Sequence, residues 1–350
     1  MLDAIEFPVP WLRHHPSCWR KGTLDLPGLR SAADALRAQP GFASAVRHFA
    51  TCWQAAYDAS PVLTTVMRDN ARYVMLVACL WMDHVRDPRH PADCITSSRL
   101  ITFYGRVGCD LVTASPSRVK AMLGHARARG LLQSAPGPGD ARRRPLEPTA
   151  ALRDAMAGWV AGFLHGIVTL LPLPAMPEAM VARPGFIGEL FTYRVTALLE
   201  DRFSINQGLP AIRWITDHEK GYHLFLSLMR GLQLQPDGTA LTTAIPQALA
   251  DHAGVSRSTA RNFLQACMRQ GWIEPGPGHG LVLKPAFVDE TLHWMGLEFV
   301  WMHALALAAW HRLAGVNDLI DPSPCEKLTG ARHVDPTLAM VHSIRLTGLN

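Results

Sequence analysis

The sequence predicts a mainly α-helical protein with small β-wings, arranged as tandem winged helix-turn-helix domains. Three observations carry this. A helix-turn-helix phrase occurs twice, as Ser115–Leu132 (SPSRVKAMLGHARARGLL) and Ser256–Ile273 (SRSTARNFLQACMRQGWI), at a constant offset of 141. The triplet Pro40-Gly41-Phe42 recurs as Pro184-Gly185-Phe186, at an offset of 144, and each copy opens a helical stretch. Each phrase is followed by a Pro/Gly-rich turn, and then by a long apolar helical run. Two copies in register point to a duplicated module.

Each element follows from local patterning. Helices are expected at about 43–57 and 187–203, then 63–85 and 209–232, and closing helices at about 150–171 and 287–314. In each phrase a Ser caps the helix, an amphipathic run follows, and Gly130 or Gly271 ends it. Two apolar residues and a turn then lead into a hairpin, the form of a recognition helix entering a wing. The expected organisation is an N-terminal arm at 1–39, a first winged unit at 40–171, a connector at 172–183, a second unit at 184–315 and a tail at 316–350. The connector is Pro-rich and is expected to be stiff and extended.

The second phrase fits a helix-turn-helix well. Ala250 falls where the two helices touch, and Gly254 falls at the turn. Val255, Ala260, Phe263 and Leu264 share the inward face. Ser256, Arg257, Ser258, Arg261, Asn262 and Gln265 are left facing outward, as types that donate to phosphates and read purine edges. In the first phrase, Cys109 and Thr113 align with Ala250 and Gly254. Val119, Met122 and Leu123 keep the apolar face, and Ser115, Ser117, Arg118 and Lys120 are its outward candidates. Its wing carries Arg142, Arg143 and Arg144, suited to backbone or minor-groove contact. The second wing is shorter and has no Arg.

Composition agrees with a folded, nucleic-acid-directed chain. Hydrophobic residues make up 48% and charged residues 18% of the 350, enough for sizeable cores and unlike a disordered chain. The net charge is +5, but residues 1–150 carry +7 and residues 151–350 carry −2, so the first half should supply more of the phosphate attraction. Seven scattered Cys without a CxxC pair read as reduced thiols of a cytoplasmic protein, with a redox sensor as the sharper alternative. Met1–Pro10 has acids and prolines and no apolar core, so no signal peptide is expected. The apolar stretch near 159–173 is interrupted by Gly and His and reads as a packed helix.

On these residues the chain resembles the MarR family of winged-helix regulators. The resemblance rests on Ser115 through Gly130-Leu131-Leu132, then Asp140, Arg142, Leu146 and Thr149, with long helices on either side. Members are usually homodimers whose terminal helices pair and whose two wings straddle DNA. The resemblance therefore implies an intramolecular pseudo-dimer on double-stranded DNA. Thr113 at the turn and the depleted second wing depart from symmetric recognition.

Other constellations are weaker. Asp83, His84, Asp87, His90, Asp93 and Cys94 are metal-ligand types at loose spacing, and read equally as a polar helix end and loop. His14, His15 and Cys18 are similar. No metal site and no cofactor are expected. The ten Trp belong first to the core, and could also line a pocket for a small apolar or aromatic effector. No Walker loop, nucleophile elbow or HExxH occurs, so no enzyme activity is expected. The functional expectation is a sequence-specific DNA-binding transcriptional regulator. The alternative is a tandem winged-helix scaffold for other proteins, of the chromosome-organising type, which would show apolar or acidic residues on the outward faces.

Overall fold

Side-chain caps fix most helix starts in the first half of the chain. In the computed structural model, which describes residues 19–20, 23–87, 94–135, 145–242, 245–278 and 280–315, a hairpin of β1 (Trp19–Arg20) and β2 (Thr23–Leu24) precedes α1 (Leu26–Arg37). There follow α2 (Phe42–Asp58), α3 (Pro61–Val66), α4 (Asn70–His84), α5 (Ser97–Val107) and α6 (Pro116–Ala128). The strands β3 (Leu132–Ser134) and β4 (Leu146–Pro148) lead into α7 (Ala150–Ile167). Asp25, Ser60, Asp69, Thr96, Ser115 and Thr149 each accept a backbone N–H that the first turn leaves unpaired.

The second half reaches a parallel order of elements by other means. It comprises α8 (Pro177–Val181), α9 (Phe186–Leu199), α10 (Pro210–Asp217), α11 (Gly221–Met229), β5 (Gln233–Leu234), β6 (Ala240–Thr242), α12 (Pro246–Ala253), α13 (Arg257–Arg269), β7 (Ile273–Pro275), β8 (Leu281–Leu283) and α14 (Pro285–Leu313). A Pro in the first turn starts α8, α10, α12 and α14, where its missing N–H costs nothing. Strands β5, β6, β8 and β7 form an antiparallel sheet in that order. In the first half β3 pairs β4, and Ile95 bridges Leu146 where β6 pairs β8 in the second. The architecture is mainly helical with small antiparallel sheets.

Helix contacts come in matched pairs. Helix α2 packs on α7, and α9 packs on α14. Helix α9 also packs on α4, while α2 packs on α11. Helix α1 packs on α14, and the short α8 packs on α7. Helices α7 and α14 touch each other. Phe49 sits between them, edge-on to Phe163 at 4.6 Å and to Phe299 at 5.0 Å. No helix among the described residues is long and apolar enough to cross a membrane.

Several expectations need correction. The arm is not separate from the rest: Leu29, Ala32, Ala33 and Leu36 of α1 are buried, and Gly296 of α14 lies so close that a Cβ there would be 2.9 Å from the Ala33 carbonyl oxygen. The connector is not extended, because Pro177 starts α8 and buries Met180. The long second helices are each broken in two. Asp69 adopts extended backbone to cap α4, and Lys220 takes the left-handed region at φ 62° before α11. The two breaks meet, with the Lys220 N–H donating to the Arg68 carbonyl at 2.6 Å and Arg68 pairing with Glu219 at 2.5 Å.

Candidate nucleic-acid interface and an aromatic cavity

Helices α12 and α13 follow one another across the short turn at 254–256. Ala250 is buried at their contact, and Gly254 turns the chain at φ 61°. Ala260, Phe263 and Leu264 are buried, while Val255 is half-buried. The Ser256 hydroxyl caps α13 through the Thr259 N–H at 3.1 Å and lies 2.7 Å from the Ser258 hydroxyl. Ser256, Arg257, Ser258, Arg261, Asn262 and Gln265 are all exposed. Among the described residues, no side-chain hydrogen bond or ion pair engages Arg257, Arg261, Asn262 or Gln265.

Helices α5 and α6 differ at the turn. The phrase alignment placed Cys109 at the helix contact, but α5 ends at Val107 and Cys109 is exposed. Gly108 (φ 82°) breaks the helix, and Leu111 and Val112 drop into the core instead. This turn spans 108–115, against 254–256 in the second copy. It is held by Arg202 from the other half, which donates to the Arg106 carbonyl at 2.7 Å and to the Asp110 carboxylate at 2.7 Å. Arg213 donates to the Cys109 carbonyl at 2.9 Å.

Ser115, Ser117 and Lys120 are exposed on α6, and the Ser115 hydroxyl caps it through the Arg118 N–H at 3.2 Å. Arg118 is not a free cation. Its guanidinium lies 3.2 Å from the carboxylate of Asp69, which is almost fully buried and also takes Arg72. That ion pair fastens the start of α6 to the start of α4. On the other side of the same corner, Arg68, Glu219 and Lys220 share a crevice with Ser256 and Thr259 of α13. The two Ser-capped helix starts therefore flank one corner. Arg142, Arg143 and Arg144 lie outside the described residues, as do His14, His15, Cys18, His90 and Asp93. Asp83 pairs with Arg153 at 2.7 Å and His84 with Glu189 at 3.2 Å, so these two side chains join neighbouring helices.

The start of α11 buries a cation. Lys220 donates to the Tyr57 hydroxyl at 2.7 Å and to the Thr64 carbonyl at 2.5 Å, and burial pulls its ammonium down to about 8. His223 beside it is held neutral by burial and by that ammonium.

Behind the corner lies a cavity of about 90 Å³, open on one side, between α4, α7, α9 and α14. Its walls are aromatic: Tyr73, Trp159, Tyr222, Trp294 and Trp301. The Arg194 guanidinium sits 5.0 Å from the Tyr73 ring centroid. Glu298 projects from α14 into the same space, 4% exposed. Burial pushes its carboxyl up to about 7, with Arg194 pulling the other way. Burial likewise raises the Tyr73 hydroxyl to about 12. Tyr73 Oη, Trp159 Nε1, Arg194 Nη1 and Glu298 Oε2 are buried without a protein partner.

Helices α7 and α14 start 135 residues apart, which pairs Trp159 with Trp294 and Phe163 with Glu298. The position that packs Phe163 against Phe49 in the first half thus holds a carboxylate in the second. The sequence reading missed Glu298 and Arg194. Their signal was a lone charge within an apolar helical run, in WMGLEFVWM and FTYRVTALL.

Compared with protein-family models, curated proteins and solved structures, the chain has no match.

Proposed function

We propose that this chain is a transcriptional regulator that binds double-stranded DNA through two winged helix-turn-helix units, paired as a pseudo-dimer within one chain. The observation that carries the reading is α13. It is a Ser-capped helix on a three-residue turn, with Arg257, Arg261, Asn262 and Gln265 exposed together and a hairpin directly after it. Those side chains match base edges and phosphates, and they are neither the apolar nor the acidic face that a protein scaffold would present. The matched helix contacts support the pairing of two units. The shared register supports it too. The Thr149 N–H donates to the Leu131 carbonyl as the Lys284 N–H does to the Trp272 carbonyl, both at 2.9 Å.

The division of labour is unequal. Helix α13 carries directed base contact, while α6 offers Lys120 and two serines, with Arg142–Arg144 of the first wing adding phosphate attraction. The cavity beside the corner is the place for an effector, because a ligand there touches both halves. A salt titration against random duplex DNA tests the reading. Affinity should fall linearly on a log–log scale as salt rises. An affinity independent of salt, or no binding at all, would favour the scaffold.

A further inference from the structure

We propose that the cavity between α4, α7, α9 and α14 binds an uncharged, planar aromatic molecule that carries an N–H beside a carbonyl on one edge, as an aromatic lactam does. This deepens the effector reading above and does not depend on DNA binding.

The argument starts from what the cavity leaves unsatisfied. Most of its polar groups are spoken for. Asn206 donates to the Thr216 hydroxyl at 3.0 Å and accepts from Trp294 Nε1 at 2.9 Å. Asp69 holds Arg72 and Arg118, and Arg68 holds Glu219. What remains is a mixed set. Arg194 Nη1, Arg68 Nε and Trp159 Nε1 are donors, Glu298 Oε2 is an acceptor, Tyr73 Oη can be either, and the ring nitrogens of the neutral His223 offer one of each. Leaving such atoms buried and unpaired costs stability, so an occupant that pairs them gains what the empty cavity forgoes.

Charge then selects the occupant. Arg194 lines the cavity as a cation, and Glu298 lines it as a carboxyl that burial keeps protonated up to about 7 and that opposes the Arg194 charge once ionised. They are not in ion-pair contact, since the cation of Arg194 rests on the Tyr73 ring instead. A bound carboxylate would face Glu298, and a bound quaternary ammonium would face Arg194. Either would bury a like-charge contact in a low-dielectric site. A neutral ligand avoids both, provided that it offers a donor to Glu298 and an acceptor to Arg194. The raised Glu298 carboxyl shows that Arg194 alone does not compensate its burial.

Shape selects planarity. Tyr73 and Trp159 lie 5.3 Å apart, and Trp294 and Trp301 wall the α14 side, so aromatic faces are offered from both halves. The asymmetry adds weight. The counterpart of Glu298 is Phe163, which fills its space by packing on Phe49. A charged group stands where its own counterpart shows that an apolar ring packs.

The test is calorimetric titration of the full chain with four matched bicyclic probes: 2-quinolone, N-methyl-2-quinolone, 2-quinolinecarboxylate and N-methylquinolinium. We expect 2-quinolone to bind at one site per chain. Blocking its N–H with methyl should weaken binding about tenfold or more, the loss expected when a buried acceptor goes unpaired. Glu298→Leu should impose a similar loss, and Glu298→Gln, which keeps an acceptor, should retain most of the affinity. If Glu298→Leu fails to fold, the methylated probe makes the same comparison on the unaltered protein. Tighter binding of the carboxylate or the quinolinium would overturn the neutral-lactam assignment while leaving an effector site in place. Equal binding of 2-quinolone and its N-methyl form would overturn it too. No binding by any of the four would overturn the effector reading itself.

Discussion

The two helix pairs at 97–128 and 246–269 have second helices with matching caps and apolar faces and differ in the turn and the outward side. Helices α6 and α13 have the same length, begin with a Ser cap and end at a left-handed Gly, Gly130 or Gly271. Their apolar faces, Val119, Met122 and Leu123 against Ala260, Phe263 and Leu264, are buried alike. The differences lie at the turn and outside. The first turn is long and pinned by Arg202 and Arg213 from the other half, and Arg118 is spent on Asp69. The second turn is short, and the outward face of α13 is uncommitted. Positions that cap and bury the helices repeat, and outward positions diverge. In the function proposed above, the first segment is the anchor and the second the reader.

The corner where the halves meet gives the largest expected contrast. Asp69 and Lys220 occupy matching positions, each immediately before α4 or α11, and both are buried. Asp69→Ala removes the cap of α4 and leaves Arg72 and Arg118 without their carboxylate. It should cost about 3–5 kcal/mol in urea unfolding. Lys220→Met removes a cation that burial already disfavours, and the Thr64 carbonyl keeps the Tyr57 hydroxyl at 3.0 Å. Its effect should stay within about 1–2 kcal/mol. Equal losses at both sites would erase the contrast.

The exchange of Phe163 for Glu298 sharpens the comparison through pH. The folded Glu298 carboxyl holds its proton up to about 7, against an ordinary value of 4.5. Between those values the folded state binds the proton and the unfolded state does not. Stability therefore falls as pH rises through this window. Glu298→Gln removes that dependence, so its stability relative to the unaltered protein should grow by about 2–4 kcal/mol from pH 4.5 to above 7. A pH-independent difference would mean that the carboxyl is solvated.

The wings set a smaller test. Arg142, Arg143 and Arg144 lie between β3 and β4, which are eleven residues apart in the chain, and the five residues between β7 and β8 contain no Arg. Replacing all three with Ala should weaken DNA binding on every sequence. It should also flatten the salt slope by up to about three units. An unchanged slope would return these arginines to the solvated surface.

Much of the skeleton was legible in the sequence because caps and helix stops are local. Ser115, Ser256, Gly130, Gly254 and Gly271 announce themselves within a few residues. The outward residues of α13 followed from its apolar stripe. The rest depends on distant partners. Nothing near Arg118 in the chain reveals Asp69, and nothing near Gly108 reveals Arg202. The breaks at 67–69 and 218–220 fall in short polar runs, Arg68-Asp69-Asn70 and Asp217-His218-Glu219-Lys220-Gly221, through which the long helices were expected to continue; Asp69 and Lys220 act as corners where the two halves meet. The arm was misread for the same reason. Its helix α1 has an ordinary apolar face whose partner, α14, lies at the far end of the chain.

The division between anchor and reader is tested most directly by selection from randomised duplexes, carried out with the unaltered chain and with Arg261→Ala and Lys120→Ala. One bidentate Arg contact to a base is worth about 1–3 kcal/mol of discrimination. Arg261→Ala should therefore relax the preferred sequence in one half-site and leave the other as it was. Lys120→Ala should lower affinity on all sequences and keep the preferred site. If both variants lose affinity uniformly and select the same site as the unaltered chain, the helices do not divide the work. The protein would then bind through charge and DNA shape.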